Sequence, residues 1–392
     1  MSRDLYIKAK KQEEWLRPSD WLPMPAGITS ANQTFVGLHA VIENSDNYVA
    51  FLFTTSAGQY RVDWGDGSTP TLHNSNTIAQ YQYNFATYDT GNTTLSSRGY
   101  KQAMITVTPV SGNLLTCDFQ QRFVTSPVQN QAYSTGFLDC ILSMPNASSG
   151  ESILFGGITV RHSYVERFDI KTIGGCTALA SNVNRGLFRN CISLQSIPLF
   201  DTSGVNSMRE MFQACSLLKT IPLFDTTNVT GTNGMLNMFS GCTSLQSIPI
   251  LNTANVVNMT NMFNACFSLQ SIPLFNTANV VNMQNMFFNC GSLNSIPALS
   301  TISITTSAGM DFGTLFANAC SSLNRCEMVF ARTVSFASCQ LSRDAIVEIF
   351  NNLVDRTLTT SATITITGNW GVTALSAGDL LIATNKNWVV VQ

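Results

Sequence analysis

The chain has 392 residues, of which only 11% are charged, and its formal net charge at neutral pH is -2. Such a length predicts two or three domains. Because no basic patch is present, nucleic-acid binding is not expected. Because no run of about 18 apolar residues occurs, a membrane span is not expected either.

Residues 1–25 are predicted to form an N-terminal arm that has no core of its own. The arm lacks the apolar stretch of a secretory signal peptide, so we expect a protein that assembles in the cytoplasm. Its apolar side chains, Trp15, Leu16, Trp21 and Leu22, offer rigid anchors for a partner. The alternative is that the tryptophans pack on the next domain of the same chain.

Residues 26–145 are predicted to form an all-β sandwich. The range 63–67 reads Asp-Trp-Gly-Asp-Gly and follows an alternating strand pattern, which is typical of a tight turn. Asp63 and Asp66 are interpreted as turn-forming residues, with calcium binding as the alternative. The motif is similar to the Trp-Gly-Asp-Gly signature of PKD-type domains, and this resemblance implies their β-sandwich fold.

Residues 146–340 contain a repeated sequence that dominates the chain. The steps between successive Ile-Pro pairs are 24, 27, 24 and 24 residues, and a cysteine recurs with the same steps. A fixed period of this size predicts a solenoid, in which each coil stacks on the previous one. The prolines of the pairs are Pro198, Pro222, Pro249, Pro273 and Pro297. The cysteines are Cys191, Cys215, Cys242, Cys266 and Cys290.

The first part of each coil is predicted to be a short strand. Leu194, Ile197 and Leu199 follow the Leu-x-x-Ile-x-Leu pattern of a leucine-rich-repeat strand. Because proline cannot donate to a sheet ladder, the paired strand should end near the Ile-Pro step. Asp201 and Thr202, with their equivalents in other coils, should then form a turn.

The second part of each coil is predicted to be a short helix. Met208, Met211, Phe212 and Cys215 are spaced at i, i+3, i+4 and i+7, which is typical of one apolar helix face. Strand and helix together predict an α/β solenoid.

One polar column is a candidate binding surface. Its members lie between the Leu and Ile of successive strands and should point outward, where they could bind a glycan or the edge of a protein. The alternative is an ordinary solvated surface. The predicted binding residues are Gln195, Lys219, Gln246, Gln270 and Asn294.

The recurring Met-Phe-x-x-Cys-x-Ser-Leu motif resembles the BspA-like leucine-rich repeats of bacterial surface proteins and tailed-phage virion proteins. The resemblance covers about residues 176–339, with degenerate copies at Leu187-Phe188 and Leu315-Phe316. Residues 341–392 look like the α/β C-terminal cap that follows such repeats, with a helix over residues 343–353, a strand over residues 363–367, and a second short helix before a strand at residues 388–391. The resemblance implies adhesion and surface or virion display.

No catalytic, metal or cofactor site is predicted. The cysteines show no Cys-x-x-Cys spacing and are interpreted as buried free thiols. His39, His73 and His162 are isolated from other ligand residues.

These features together favour a non-enzymatic structural protein of a tailed-phage virion, present in many copies or as a homo-oligomer. Its expected partners are other virion proteins and a host-surface glycan or protein. A bacterial cell-surface adhesin is the second hypothesis, and a tail-associated glycan depolymerase is the third.

Overall fold

The computed structural model describes residues 15–43, 45, 47–124, 131–133, 136–148, 153–156, 164–174, 180–181, 185–230, 232–300 and 321–392. Several features singled out in the sequence lie outside these residues. They are residues 1–14 of the arm, His162, Cys176 and Leu315-Phe316.

Regular secondary structure is mostly strand. The strands are β1 (Thr34–Val41), β2 (Tyr48–Thr55), β3 (Gln59–Asp63), β4 (Thr71–Asn74), β5 (Thr77–Gln82), β6 (Lys101–Pro109), β7 (Leu114–Asp118), β8 (Arg122–Val124), β9 (Gln131–Tyr133), β10 (Phe137–Ser143), β11 (Ile153–Leu154), β12 (Arg167–Thr172), β13 (Ala180–Ser181), β14 (Arg185–Gly186), β15 (Ser295–Ile296), β16 (Arg325–Cys326), β17 (Val334–Ser335), β18 (Ala362–Thr365) and β19 (Trp388–Val391). The helices are α1 (Arg343–Asn351) and α2 (Ala377–Thr384), and a 3-10 turn spans Val372–Ala374.

The N-terminal strands form two larger sheets, with orders β12-β10-β1-β6-β3-β4 and β11-β7-β2-β5. β1 pairs antiparallel with both β6 and β10, whereas β12 joins β10 in parallel. Both sheets include a strand that follows residue 145, the predicted end of this domain. A smaller hairpin pairs β8 with β9.

The two larger sheets pack face to face through aromatic side chains. The ring of Phe35 on β1 lies 6.4 Å from that of Phe51, 6.2 Å from that of Phe53 and 4.7 Å from that of Phe119. β1 is buried along its whole length, because the other face of its sheet is also covered. A strand covered on both faces reads as a continuous apolar run, which is why β1 lacks clear alternation.

The coils of the repeat form a β-solenoid, and the short helices predicted within them are wrong. Every second backbone N–H from Met208 to Ala214 donates to a carbonyl of the next coil, at N···O distances of 2.7 to 3.0 Å. Glu210 and Ala214 have φ of 55° and 61°. Left-handed residues at this spacing interrupt a right-handed helix, so the segment is a chain of turns. Its Met, Met, Phe and Cys side chains still point into the core.

The strand side of each coil agrees with the prediction of very short pairing. β15 pairs in parallel with β16 over two residues, and Ser271 bridges to Ser295. After the Ile-Pro step, the Oδ1 atom of Asp201 accepts a hydrogen bond from the Ser203 N–H at 2.9 Å and closes the predicted turn. The buried Thr202 hydroxyl donates to the Asp225 carbonyl of the next coil at 2.8 Å. Thr226, Thr253 and Thr277 repeat that contact.

One aromatic column runs through the solenoid core. Neighbouring rings lie 5.6 to 6.0 Å apart and are within 13° of parallel. At its N-terminal end the column continues through ring contacts of 5.3 and 4.6 Å into the core between the two sheets. One continuous core therefore runs from between the two sheets into the coils, and a smaller cluster around Trp21 and Leu38 lies apart from it. The column consists of Phe188, Phe212, Phe239, Phe263 and Phe287, and it continues through Phe168 and Phe155.

The C-terminal residues contain both described helices and a parallel sheet of order β17-β18-β19. The helix predicted over residues 343–353 is confirmed as α1, and the strand predicted at residues 388–391 is confirmed as β19. Ser342 caps α1 by accepting from the Ala345 N–H, and Arg343 bonds Asp379 of α2 at 2.7 Å. No helix in the described residues is long and apolar enough to span a membrane.

Candidate binding surface

Four of the five predicted polar residues form a column in space, because backbone hydrogen bonds join Lys219, Gln246, Gln270 and Asn294. The Gln246 N–H donates to the Lys219 carbonyl at 3.0 Å, and the Gln270 N–H donates to the Gln246 carbonyl at 3.3 Å. The Asn294 N–H donates to the Gln270 carbonyl at 3.0 Å. Successive members are therefore separated by about 4.8 Å, the distance between hydrogen-bonded strands.

The column differs along its length in what its side chains can offer. Gln195 and Lys219 are half-buried, whereas Gln246, Gln270 and Asn294 are exposed. The Gln195 amide lies 3.4 Å from a Glu166 carboxylate oxygen. Within the described residues, no hydrogen bond engages the side-chain amides of the three exposed members. The C-terminal part of the column is therefore the part that presents free amide donors and acceptors.

A second column, which sequence reasoning missed, is apolar and exposed. The residue after each Ile-Pro pair points outward, and the next residue, such as Phe200, is buried. The strand pattern grouped Leu199 with the buried Leu194 and Ile197. The sequence did contain a signal for the buried residue. The position that follows the exposed one is always Phe or Leu, so it varies less and is the better candidate for the core. We name the exposed column the aliphatic ridge; its members are Leu199, Leu223, Ile250 and Leu274, with exposed fractions of 62%, 59%, 71% and 59%.

The described part of the arm packs on the six-stranded sheet of the same chain. Trp21 is only 3% exposed, lies against Leu38 of β1, and donates its Nε1–H to the Tyr100 hydroxyl at 2.7 Å. Trp15 and Leu22 border the same cluster. Of the four predicted anchors, Leu16 remains open to a partner, at 81% exposed. For Trp21, the structure therefore agrees with the alternative that the tryptophans pack on the same chain.

Ion pairs hold the arm in this position. Arg17 pairs with the fully buried Asp139 carboxylate of β10 at 2.7 Å, and Arg167 of β12 pairs with its other oxygen at 3.2 Å. Two cations opposite one buried anion satisfy its charge, so removal of either would be costly.

Glu166 connects the arm, the sheet and the first coil. Its carboxylate accepts from Trp15 Nε1–H at 3.1 Å and pairs with Arg98, while its backbone carbonyl accepts the Gln195 N–H at 2.9 Å. The strand-side ladder of the solenoid is thus continuous with the end of the N-terminal sheets.

The cysteine column is buried, and its described members are free thiols. Each thiol from Cys215 onward lies against a backbone oxygen of the previous coil, as Cys290 Sγ does at 3.0 Å from the Phe263 carbonyl. Burial raises the pKa of Cys290 to about 12. The thiols are therefore protonated and packed, which suits a structural role and no nucleophilic one.

The two aspartates of the Trp-Gly-Asp-Gly turn bond their own backbone. Asp63 Oδ1 accepts from the Gly65 N–H, and Asp66 Oδ1 accepts from the Ser68 N–H, both at 2.9 Å. Gly65 has a φ of +71°, and a Cβ there would lie 2.4 Å from the Met104 carbonyl oxygen. The residues that the structure describes contain no group of three or more potential metal ligands. These contacts fit the turn-forming interpretation of the two carboxylates.

Comparison with known families places the similarity in the solenoid. Residues 182–299 and, overlapping them, residues 233–331 match the family described as Mycoplasma protein of unknown function, DUF285. The match covers less than half of the chain, and it supports the BspA-like character of the repeats. A search of curated proteins finds no match.

Proposed function

We propose that this chain is a non-enzymatic structural protein of a tailed-phage virion that displays its solenoid for adhesion. The observation that carries the proposal is the surface of the solenoid, on which free amides at Gln246, Gln270 and Asn294 repeat at a fixed spacing beside the aliphatic ridge. Repeating uncharged groups of this kind suit an extended ligand such as a host-surface glycan or a protein edge. The resemblance to repeats of phage virion proteins supports the virion assignment.

The N-terminal part would attach the solenoid to the particle. The Trp-Gly-Asp-Gly turn, with Trp64 buried beneath it, supports a PKD-like sandwich as the mounting domain. Because Trp21 is engaged by the chain itself, attachment falls to Leu16 and residues 1–14. The elements after residue 341 would cap the open end of the solenoid, as a solenoid requires.

Mass spectrometry of purified particles from the phage that encodes the chain tests the assignment. The chain should be present in many copies per particle, and antibodies to the solenoid should label intact particles. A chain that lacks residues 2–14 should melt like the parent but be absent from particles. Normal incorporation of that chain would move the attachment site to the sheets.

A bacterial cell-surface adhesin is the second candidate. The match to a family described as Mycoplasma proteins favours it, because that description refers to bacterial chains. Recovery of the chain from the envelope of uninfected cells, together with its absence from particles, would select this candidate. Depolymerase activity would instead appear as shortening of a host polysaccharide by the purified chain.

A further inference from the structure

The aliphatic ridge is a continuous feature rather than a set of isolated exposed residues. Inter-coil hydrogen bonds hold the coils in register on both sides of it, through the polar column before it and the threonine column after it. Its four side chains therefore repeat at about 4.8 Å. Monomeric proteins rarely expose contiguous apolar patches beyond a few hundred square ångströms, and such patches mark interaction sites.

The surroundings of the C-terminal half of the ridge lack the charges that normally keep such a surface apart from its copies. Residues 226–300 contain no Asp, Glu, Lys or Arg, although they carry Ile250 and Leu274. The charges close to the ridge belong to the first two coils, as Asp201, Lys219 and Asp225. One half of the ridge is thus flanked by charge and the other half is neutral. Net charge keeps proteins monomeric, and its absence favours association.

We propose that the aliphatic ridge is a homodimer interface, in which two copies of this chain pack with parallel solenoids about a two-fold axis. A second copy of this chain would present its side chains at the same 4.8 Å spacing as the ridge. Side chains on one face of an ordinary strand instead repeat at about 6.7 Å. Side chains of equal period can interdigitate along the whole ridge.

The charge distribution selects the parallel orientation. Lys219 lies in the column before the ridge and Asp225 lies in the turn after it, so a two-fold axis along the solenoid places Lys219 of one copy opposite Asp225 of the other. In an antiparallel pair both charges would instead face neutral coils. The parallel contact is isologous, with each ridge residue opposite its own equivalent, and it closes as a dimer.

A stable interface buries roughly 800 Å² on each partner, and the ridge supplies only part of that area. The dimer is therefore expected to dissociate on dilution rather than to be permanent. This proposal does not depend on whether the chain is displayed by a virion or by a cell.

Sedimentation equilibrium of the full chain across a dilution series tests the interface. The parent should shift between monomer and dimer, and the double variant Ile250→Lys/Leu274→Lys should weaken the dimer by at least about tenfold in Kd, or 1.4 kcal/mol. Leu358→Lys, which adds one positive charge at a residue that is 98% exposed and distant in sequence, should dimerise like the parent. Circular dichroism should be unchanged, and Ile250→Gln provides an uncharged variant if the double variant misfolds.

Engineered disulfides test the orientation. Leu223→Cys and Ile250→Cys should each form a disulfide-linked dimer alone, and a mixture of the two variants should yield few mixed dimers. A parent that stays monomeric at every concentration, or a dimer whose Kd does not change with the lysine substitutions, would overturn the interface. Poor self-linking of each single variant together with efficient mixed linking would overturn the parallel arrangement.

Discussion

Phe263 lies at the centre of the aromatic column, and its truncation should reveal how the coils depend on one another. The side chain is fully buried, and its ring stacks on Phe239 at 5.7 Å and on Phe287 at 6.0 Å. Phe263→Ala should lower the free energy of unfolding by about 3–5 kcal/mol. The upper end is expected because two stacked pairs, each worth about 0.5–1.5 kcal/mol, are lost together.

Phe267 supplies a matched control in the same coil, because its ring is about half exposed. Phe267→Ala should change the stability by less than about 0.5 kcal/mol. Urea unfolding followed by circular dichroism measures both variants. Hydrogen exchange of Phe263→Ala should show faster exchange in the two adjacent coils as well, since neighbours share each interface. Equal stabilities for the two variants, or a loss of protection confined to one coil, would refute this account of the core.

Three other perturbations test the column contacts and the arm. Thr253→Val should lower the free energy of unfolding in urea by about 1–3 kcal/mol, because the Asn276 carbonyl loses the hydroxyl that donates to it at 2.9 Å. Thr253→Ser retains a hydroxyl and should keep most of that stability. Cys266 should resist alkylation in the native chain yet react fully in urea without reductant; resistance in urea would reveal a disulfide. Burial raises the pKa of this thiol above its ordinary value of 9.0, so its contribution to stability is complete below pH 9 and is lost as pH rises above it. Melting points should therefore stay level between pH 8 and pH 9 and fall above pH 9, less steeply in Cys266→Ala. Trp21→Ala should lower the melting temperature clearly, whereas Leu16→Ala should leave it unchanged; equal effects would contradict the packing of the arm.

The repeat could be predicted from the sequence because its signals are periodic. The steps of the Ile-Pro pairs predicted the solenoid, and the Asp201-Thr202 pattern predicted the turn that the structure contains. The apolar spacing around Met208 correctly indicated which side chains are buried. It failed on secondary structure, because a chain of turns with inter-coil hydrogen bonds can bury the same positions as a helix.

The binding surface was only partly predictable, for a related reason. The polar column followed from strand alternation. The outward direction of Leu199 depends on how the backbone turns after Pro198, and the sequence signal for it was only that the following position is always Phe or Leu. The packing of Trp21 likewise depends on Tyr100 and Leu138, which are distant in sequence and are brought together by the sheet.

The continuous aromatic core between the sheets and the coils has a mechanical consequence. Among the described residues, ring contacts from Phe155 through Phe168 to Phe188 join the two parts without a break in packing. This packing fixes the direction in which the solenoid leaves the sheets. Each added repeat would lengthen the solenoid by about 4.8 Å, so duplication of a coil would change the distance between the sheets and the C-terminal residues in whole steps, without altering either end.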